Sequence, residues 1–174
     1  MQSNLKMWHL VLMALVFIGY NAVTVYLYLQ MNGGIMFDYM ILGYDQAAYR
    51  HNLYLMGENG LFVYKYQFFI LDTGYPLIYC TTGMIAWEML VKARNAKLYW
   101  LGGLLMVAGA FLDYGENARI ALILFDIIDP SKDVIAATSK FTVAKWMVLG
   151  IFAASLALFT VFRWQERRKI KSNG

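Results

Sequence analysis

Four stretches of this chain are each long enough and apolar enough to cross a bilayer, and this constrains the fold more than any other feature of the sequence. A spanning helix takes about 20 predominantly apolar residues, because hydrocarbon offers the backbone no hydrogen-bond partners outside the helix itself. The runs cover residues 8–30, 67–90, 98–125 and 136–162. They predict an all-α integral membrane four-helix bundle, a single domain over residues 1–174, with a polar outer segment at 31–66 between helices 1 and 2. Composition agrees: 60% of residues are hydrophobic and 15% charged, against roughly 45–50% and 25% in soluble domains. Disorder is excluded by the same values. The net charge of +4 does not point to nucleic acid, since the basic residues sit at the ends of apolar runs and form no continuous face. Cys80 is the only cysteine, so there is neither a disulfide framework nor a cysteine metal site. The first run is much longer than the apolar core of a signal peptide, and no small-residue cleavage site follows it. A retained helix is expected there.

Orientation follows from the lysines and arginines near the helix ends. Nine of them (Lys6, Lys92, Arg94, Lys97, Arg163, Arg167, Arg168, Lys169 and Lys171) fall in the two tails and the 91–97 loop. Four others, Arg50, Lys65, Arg119 and Lys132, fall on the opposite side, diluted there by Asp38, Asp45, Glu58, Asp126, Asp129 and Asp133. The bias predicts a multi-pass protein of the cell membrane with both termini cytoplasmic. Trp8, Trp87, Trp100 and Trp164 all lie toward the same side, as an interfacial aromatic belt would. Glu88 and Lys92 are spaced to pair one helical turn apart.

In the outer segment, Asp45 is placed to cap a helix over 46–56, and Gly57-Glu58-Asn59-Gly60 to end it. Tyr49, Leu53 and Met56 share one face of that helix, with Arg50 and Asn52 turned elsewhere. Such a pattern fits an amphipathic connector on the membrane surface, or else a lid over the bundle. From Leu61 onward the chain is expected to be helical again.

The intramembrane polar residues carry the functional signal, because an Asp or Lys at mid-bilayer costs about 2.5–3.5 kcal/mol on insertion scales. Asp72, Tyr75, Pro76, Tyr79 and Gly83 are spaced to share a face of the second helix. Pro76 leaves the carbonyl of Asp72 without its helical donor. Asp113, Glu116 and Asn117 share a face of the third helix, with Gly102, Gly109 and Ala110 allowing close approach on that side. The fourth helix offers Thr138, Thr142 and Lys145, the first Tyr20, Asn21 and Thr24. Counted at 1.5 Å per residue, these groups fall at similar depth in the outer half of the bilayer.

A site built from Asn21, Asp72, Tyr75, Tyr79, Asp113, Glu116, Asn117, Thr142 and Lys145 is therefore expected. Lys145, the only deep cation, is the natural partner of Glu116, Asp113 or Asp72. The plain alternative is that these groups only hold the helices in register. Three acids against one lysine exceed what pairing requires, and the surplus must be protonated, hydrated or matched by a ligand.

Three functions are consistent with this set. The site could bind or transport a proton, a small cation or an amphipathic solute; four spans alone leave little room for alternating access, so a homo-oligomer would be expected. It could instead serve an enzyme acting on a lipid or isoprenoid-like substrate, with Glu116 or Asp113 as acid or base and Tyr79 or Lys145 stabilising charge. Asp72, Asp113 and Glu116 could also hold a divalent cation, which nothing in the sequence requires. Finally, the chain could be an accessory subunit of a membrane complex. There is no phosphate-binding glycine loop, no serine-hydrolase elbow and no histidine-rich metal pattern. His9 and His51 have no second histidine at helical spacing.

The order Tyr49, Gly57-Glu58-Asn59-Gly60, Asp72-x-x-Tyr75-Pro76-x-x-Tyr79, Asp113-x-x-Glu116-Asn117 and Thr142-x-x-Lys145-Trp146 resembles a loose group of small four-span membrane proteins. The resemblance implies four helices and this choice of polar residues, and it brings no activity with it. Where that group often has an arginine after the second glycine of the outer turn, this chain has Leu61.

Overall fold

A computed structural model describes residues 7–67, 71–91 and 96–172. It is all-α and 85% helical, with five helices and no strand among the described residues. In chain order these are α1 (Met7–Tyr28), α2 (Gln46–Gln67), α3 (Tyr75–Val91), α4 (Ala96–Leu124) and α5 (Lys132–Ser172). Three of them, α1, the Lys97–Leu124 part of α4 and the Lys132–Gln165 part of α5, are long and apolar enough to cross a membrane. Their outward faces are apolar too: Leu15 and Ile18 on α1, Leu104 and Phe111 on α4, and Met147 and Leu158 on α5 are all exposed. Water would not tolerate so continuous an apolar surface, and a lipid surround would.

The second expected run is divided. Leu71 and Asp72 belong to a π-helical piece, Thr73 and Gly74 form a turn, and α3 starts only at Tyr75. Its 17 residues span about 26 Å, less than a full hydrocarbon core. Pro76 sits in its first turn, where a missing N–H costs nothing, and that fixes the start. Residues 68–70, Lys6, Arg94 and Lys92, with its expected pairing to Glu88, lie outside the described residues.

Packing is close at the glycines. A Cβ on Gly102 would lie 2.1 Å from Trp87 Nε1, and one on Gly109 would lie 2.8 Å from Leu149. These two contacts seat α4 against α3 and α5, the pairs with the most extensive packing. Trp87 is 2% exposed, packs on Phe152 and Phe159, and donates from Nε1 to Leu98 O at 3.0 Å. It is a core residue and not part of an interfacial belt: the missing side chain at Gly102 makes a slot for the indole. Trp8, Trp100 and Trp164 are exposed as expected. Arg163 Nη1 donates to Met89 O at 2.6 Å and so covers an end carbonyl of α3.

The segment between α1 and α3 folds over the end of the bundle where α4 finishes and α5 begins. Asp45 caps α2 as the sequence predicts, its Oδ1 accepting from Ala48 N at 2.8 Å. At Gly57 the backbone takes φ 60°, ψ −172°, which interrupts α2 without ending it; helix resumes immediately and reaches Gln67. Tyr49 and Met56 are buried, with Leu53 packed beside them, against Phe37, Ile120, Ile123, Leu124 and Ile135. The apolar face of α2 thus lies on protein, not on a membrane surface. Asn52, expected to turn away from the Tyr49, Leu53 and Met56 face, is nevertheless buried, 2% exposed. Its amide clamps Ile35, accepting from Ile35 N at 2.8 Å and donating to Ile35 O at 2.6 Å. Gln46 donates to Pro130 O, and Tyr44 N donates to Ser139 Oγ, fastening the segment to the start of α5.

Candidate functional site

Lys145 stands at the centre of the site, in the first half of α5 and 3% exposed. Its ammonium has three N–H bonds, and three carboxylates face them. It donates to Asp38 Oδ1 and, at 3.1 Å, to Asp113 Oδ1; Glu116 Oε2 lies 2.7 Å away. Asp113 and Glu116 reach it from α4 because i and i+3 share a helix face. Thr142, one turn before Lys145, donates to Glu116 Oε1 and fixes that carboxylate from behind.

The sequence reading treated Asp38 as an outer-loop charge. In the structure it belongs to a short 3-10 turn, Phe37–Tyr39, and is the fourth acid of the cluster. Trp146 Nε1 donates to Asp38 O at 2.6 Å, so consecutive residues of α5 hold both the side chain and the backbone of Asp38. Beside Asp38 lies Asp72, the two carboxyls within hydrogen-bonding reach of each other. Neither Asp38 Oδ2 nor Asp72 Oδ2 has a donor, and both are buried.

Pro76 has the consequence its position implies. The carbonyl it leaves free, Asp72 O, accepts from Asn117 Nδ2 at 3.2 Å, and the neighbouring Thr73 O accepts from Tyr114 Oη at 2.9 Å. Asn117 therefore fixes the π-helical piece that carries Asp72. Asn21 has a similar part on α1, bonding Phe17 O at 2.7 Å and accepting from Tyr75 Oη at 3.5 Å.

The cluster forms one end of a cavity of about 390 Å³, within the usual size of a small-molecule site. Of the nine residues expected at the site, Asp72, Tyr75, Tyr79, Asp113 and Lys145 line it. Asn21, Glu116, Asn117 and Thr142 do not; they stand behind that wall and orient it. Asp38, Tyr20, Tyr39 and Trp146 line it as well. The rest of the wall is mostly apolar, made by Phe17 of α1, Met106 of α4, and Leu149, Phe152 and Ala153 of α5, with Thr24 and Thr82 among them, their hydroxyls donating to Tyr20 O and Ile78 O. The helices α1 and α5 form the two sides but make almost no contact with each other; α1 is held chiefly through α3.

As a metal set the geometry differs from expectation. The oxygens lying within 4.8 Å of one another belong to Asp38, Asp113 and Glu116, not to Asp72, Asp113 and Glu116. Lys145 Nζ already sits among these three, at the place a divalent ion would need, and its charge would oppose one. The donor set fits an ammonium better than a metal.

No protein-family model, curated protein or solved structure matches this chain.

Proposed function

We propose that this is a multi-pass membrane protein whose four spans, with both termini cytoplasmic, form a bundle that binds an amphipathic solute taken from the bilayer. α3, extended by the π-helical piece and the turn before it, supplies the fourth span. The polar cluster then lies in the outer half of the membrane, under the folded-over segment. The observation that carries the reading is the shape of the cavity: charged at one end, mostly apolar along the rest, and flanked by two helices that barely touch. A solute could slide in sideways between α1 and α5, leaving its tail against Leu149 and Phe152 and its head at Asp72 and Asp113. Transport of a bare proton or small cation has less support, because among the described residues the wall beyond the cluster offers only the hydroxyls of Thr24 and Thr82, both already donating to backbone carbonyls. For catalysis, Asp113 and Lys145 would be the groups within reach of a solute, with Glu116 held behind Lys145.

Native mass spectrometry of protein extracted gently from its own membrane tests this. A bound amphiphile of defined mass is expected. It should be lost in Ala153→Phe, which fills the apolar end, and kept in Gly150→Phe, at an exposed position outside the cavity wall where an added Cβ meets nothing within 4 Å. Equal lipid adducts on both variants would overturn the proposal. Co-purifying protein chains with no such ligand would overturn it too, in favour of an accessory subunit.

A further inference from the structure

The charged end of the cavity also indicates what kind of head group it takes; this step rests on the lateral-binding reading and makes it specific. Three buried polar atoms on the cavity wall have no hydrogen-bond partner: Asp38 Oδ2, Asp72 Oδ2 and Tyr20 Oη. Beside them Tyr79 Oη lies within reach of the Asp113 carboxyl, which leaves its oxygen able to accept from a bound head group. A buried polar atom left unpaired costs about 1–3 kcal/mol, and three on the wall of one cavity is far from the native norm. Two of the three are carboxyl oxygens beside each other, which as carboxylates only accept.

The charge balance has the same direction. Four carboxyls, Asp38, Asp72, Asp113 and Glu116, surround a single ammonium, and that ammonium is turned toward Asp38, Asp113 and Glu116. Asp72 is the acid without a cationic contact among the described residues. An anionic head would be surrounded by carboxyl oxygens at close range. A lone hydroxyl brings one donor for two acceptors. A protonated amine brings charge and two or three donors together.

The aromatic side chains position the hydroxyls at this end. Tyr20, Tyr75 and Tyr79 form a continuous run of rings, with centroids 5.2 Å apart for Tyr20–Tyr75 and 5.4 Å for Tyr75–Tyr79. Phe17 extends the run along α1, its ring 6.0 Å from that of Tyr75. The rings pack on one another, stacked at Phe17–Tyr75 and Tyr20–Tyr75 and edge-on at Tyr75–Tyr79, and so hold the Tyr20 and Tyr79 hydroxyls in place beside the carboxyls. We infer that the cavity is a binding site for an amphiphile with a protonated amine head, held between Asp38 and Asp72 beside Tyr20 and Tyr79, with its hydrocarbon tail between α1 and α5.

The test uses the full chain in lipid nanodiscs and four probes with the same tail: decylamine, decyltrimethylammonium, decan-1-ol and decanoate. Binding is read as one-to-one occupancy by native mass spectrometry. Decylamine is expected to bind at least tenfold more tightly than decanol or decanoate. Asp72→Asn, which keeps shape and can still fold around the Asn117 contact to its backbone, should cut that preference to under threefold. Tyr79→Phe should weaken decylamine severalfold and leave decanol unchanged.

Equal binding of decanol and decylamine would overturn the amine assignment and leave lateral binding standing. Decyltrimethylammonium binding as tightly as decylamine would overturn the hydrogen-bonding role of the two carboxyls. No saturable binding of any decyl chain would overturn this inference together with the reading beneath it.

Discussion

Gly102 and Gly103 are neighbours on α4, yet adding one methyl group to each should move stability in opposite directions. In a helix interior, Gly→Ala gains about 1 kcal/mol from backbone entropy, and both sites share that gain. At Gly103 the new Cβ meets nothing within 4 Å, so Gly103→Ala should stabilise by about 0.5–1 kcal/mol. At Gly102 it would lie 2.1, 2.2 and 2.4 Å from three atoms of the Trp87 indole. Ordinary contact begins near 3.4 Å, so the ring must retreat by more than 1 Å. The ring is rigid, wedged by Phe152 and Phe159 and tied to Leu98 O. Overpacking of this kind costs about 1–3 kcal/mol, and loss of the indole hydrogen bond adds about 1 kcal/mol. After the entropy gain is subtracted, Gly102→Ala should destabilise by about 1–3 kcal/mol. Thermal unfolding of the two variants in one detergent, followed by tryptophan fluorescence, reads the difference. If Gly102→Ala unfolds at or above the temperature of Gly103→Ala, Trp87 is not seated in the slot described here.

The remaining expectations concern the site and the segment above it. Lys145→Met should destabilise by about 3–5 kcal/mol by leaving buried acids without a counter-charge, and Lys145→Met with Glu116→Gln should recover part of the loss in a double-mutant cycle of unfolding free energies. Asn52→Leu should cost about 1–3 kcal/mol because both polar groups of Ile35 lose their partner; faster proteolysis within residues 31–44 would report it. Burial, with the charge of Asp126 adding to it, pushes the Tyr49 phenol up to about 12. Its pKa is raised on folding, so the stability it contributes is complete below pH 10 and is lost as pH rises from 10 to 12. Tyr49→Phe should therefore change little at pH 8 and raise the midpoint of alkaline unfolding, read by circular dichroism.

What could be read from the sequence was what repeats along a helix. The spacing of Asp113 and Glu116, of Thr142 and Lys145, and of Tyr75 and Tyr79 placed them on facing surfaces, and Pro76 marked the carbonyl that Asn117 bonds. Asp38 could not be found that way. It lies in a three-residue turn with no period, 107 residues before the lysine it contacts, and a single acid in a polar connector carries no signal of its own. The burial of Asn52 was hidden for a related reason: one polar residue on an amphipathic helix looks solvated unless the chain folding over it is known. Trp87 showed the converse, since tryptophan near a helix end suits an interface or a core equally. Only the glycine on the opposing helix decides between them. The start of α3 differed because hydropathy alone joined residues 67–74 to a helix that Pro76 begins.

The ion pairs between α4 and α5 also bear on how the chain would enter a membrane during synthesis. From Met7 to Tyr28, α1 carries no Asp, Glu, Lys or Arg, so it is content in lipid by itself while the rest is still being made. Neither α4 nor α5 has that freedom. Asp113 with Glu116 on one, and Lys145 on the other, would each face hydrocarbon at a cost of several kcal/mol in isolation. Asp113 and Lys145 are only 32 residues apart in the chain, close enough for the two helices to leave the insertion machinery as a hairpin with Lys145 already paired. The charged pair that shapes the site would then also set the order of assembly: a solitary first helix, then a hairpin arriving as a unit, and α1 docking last through the tyrosines of α3.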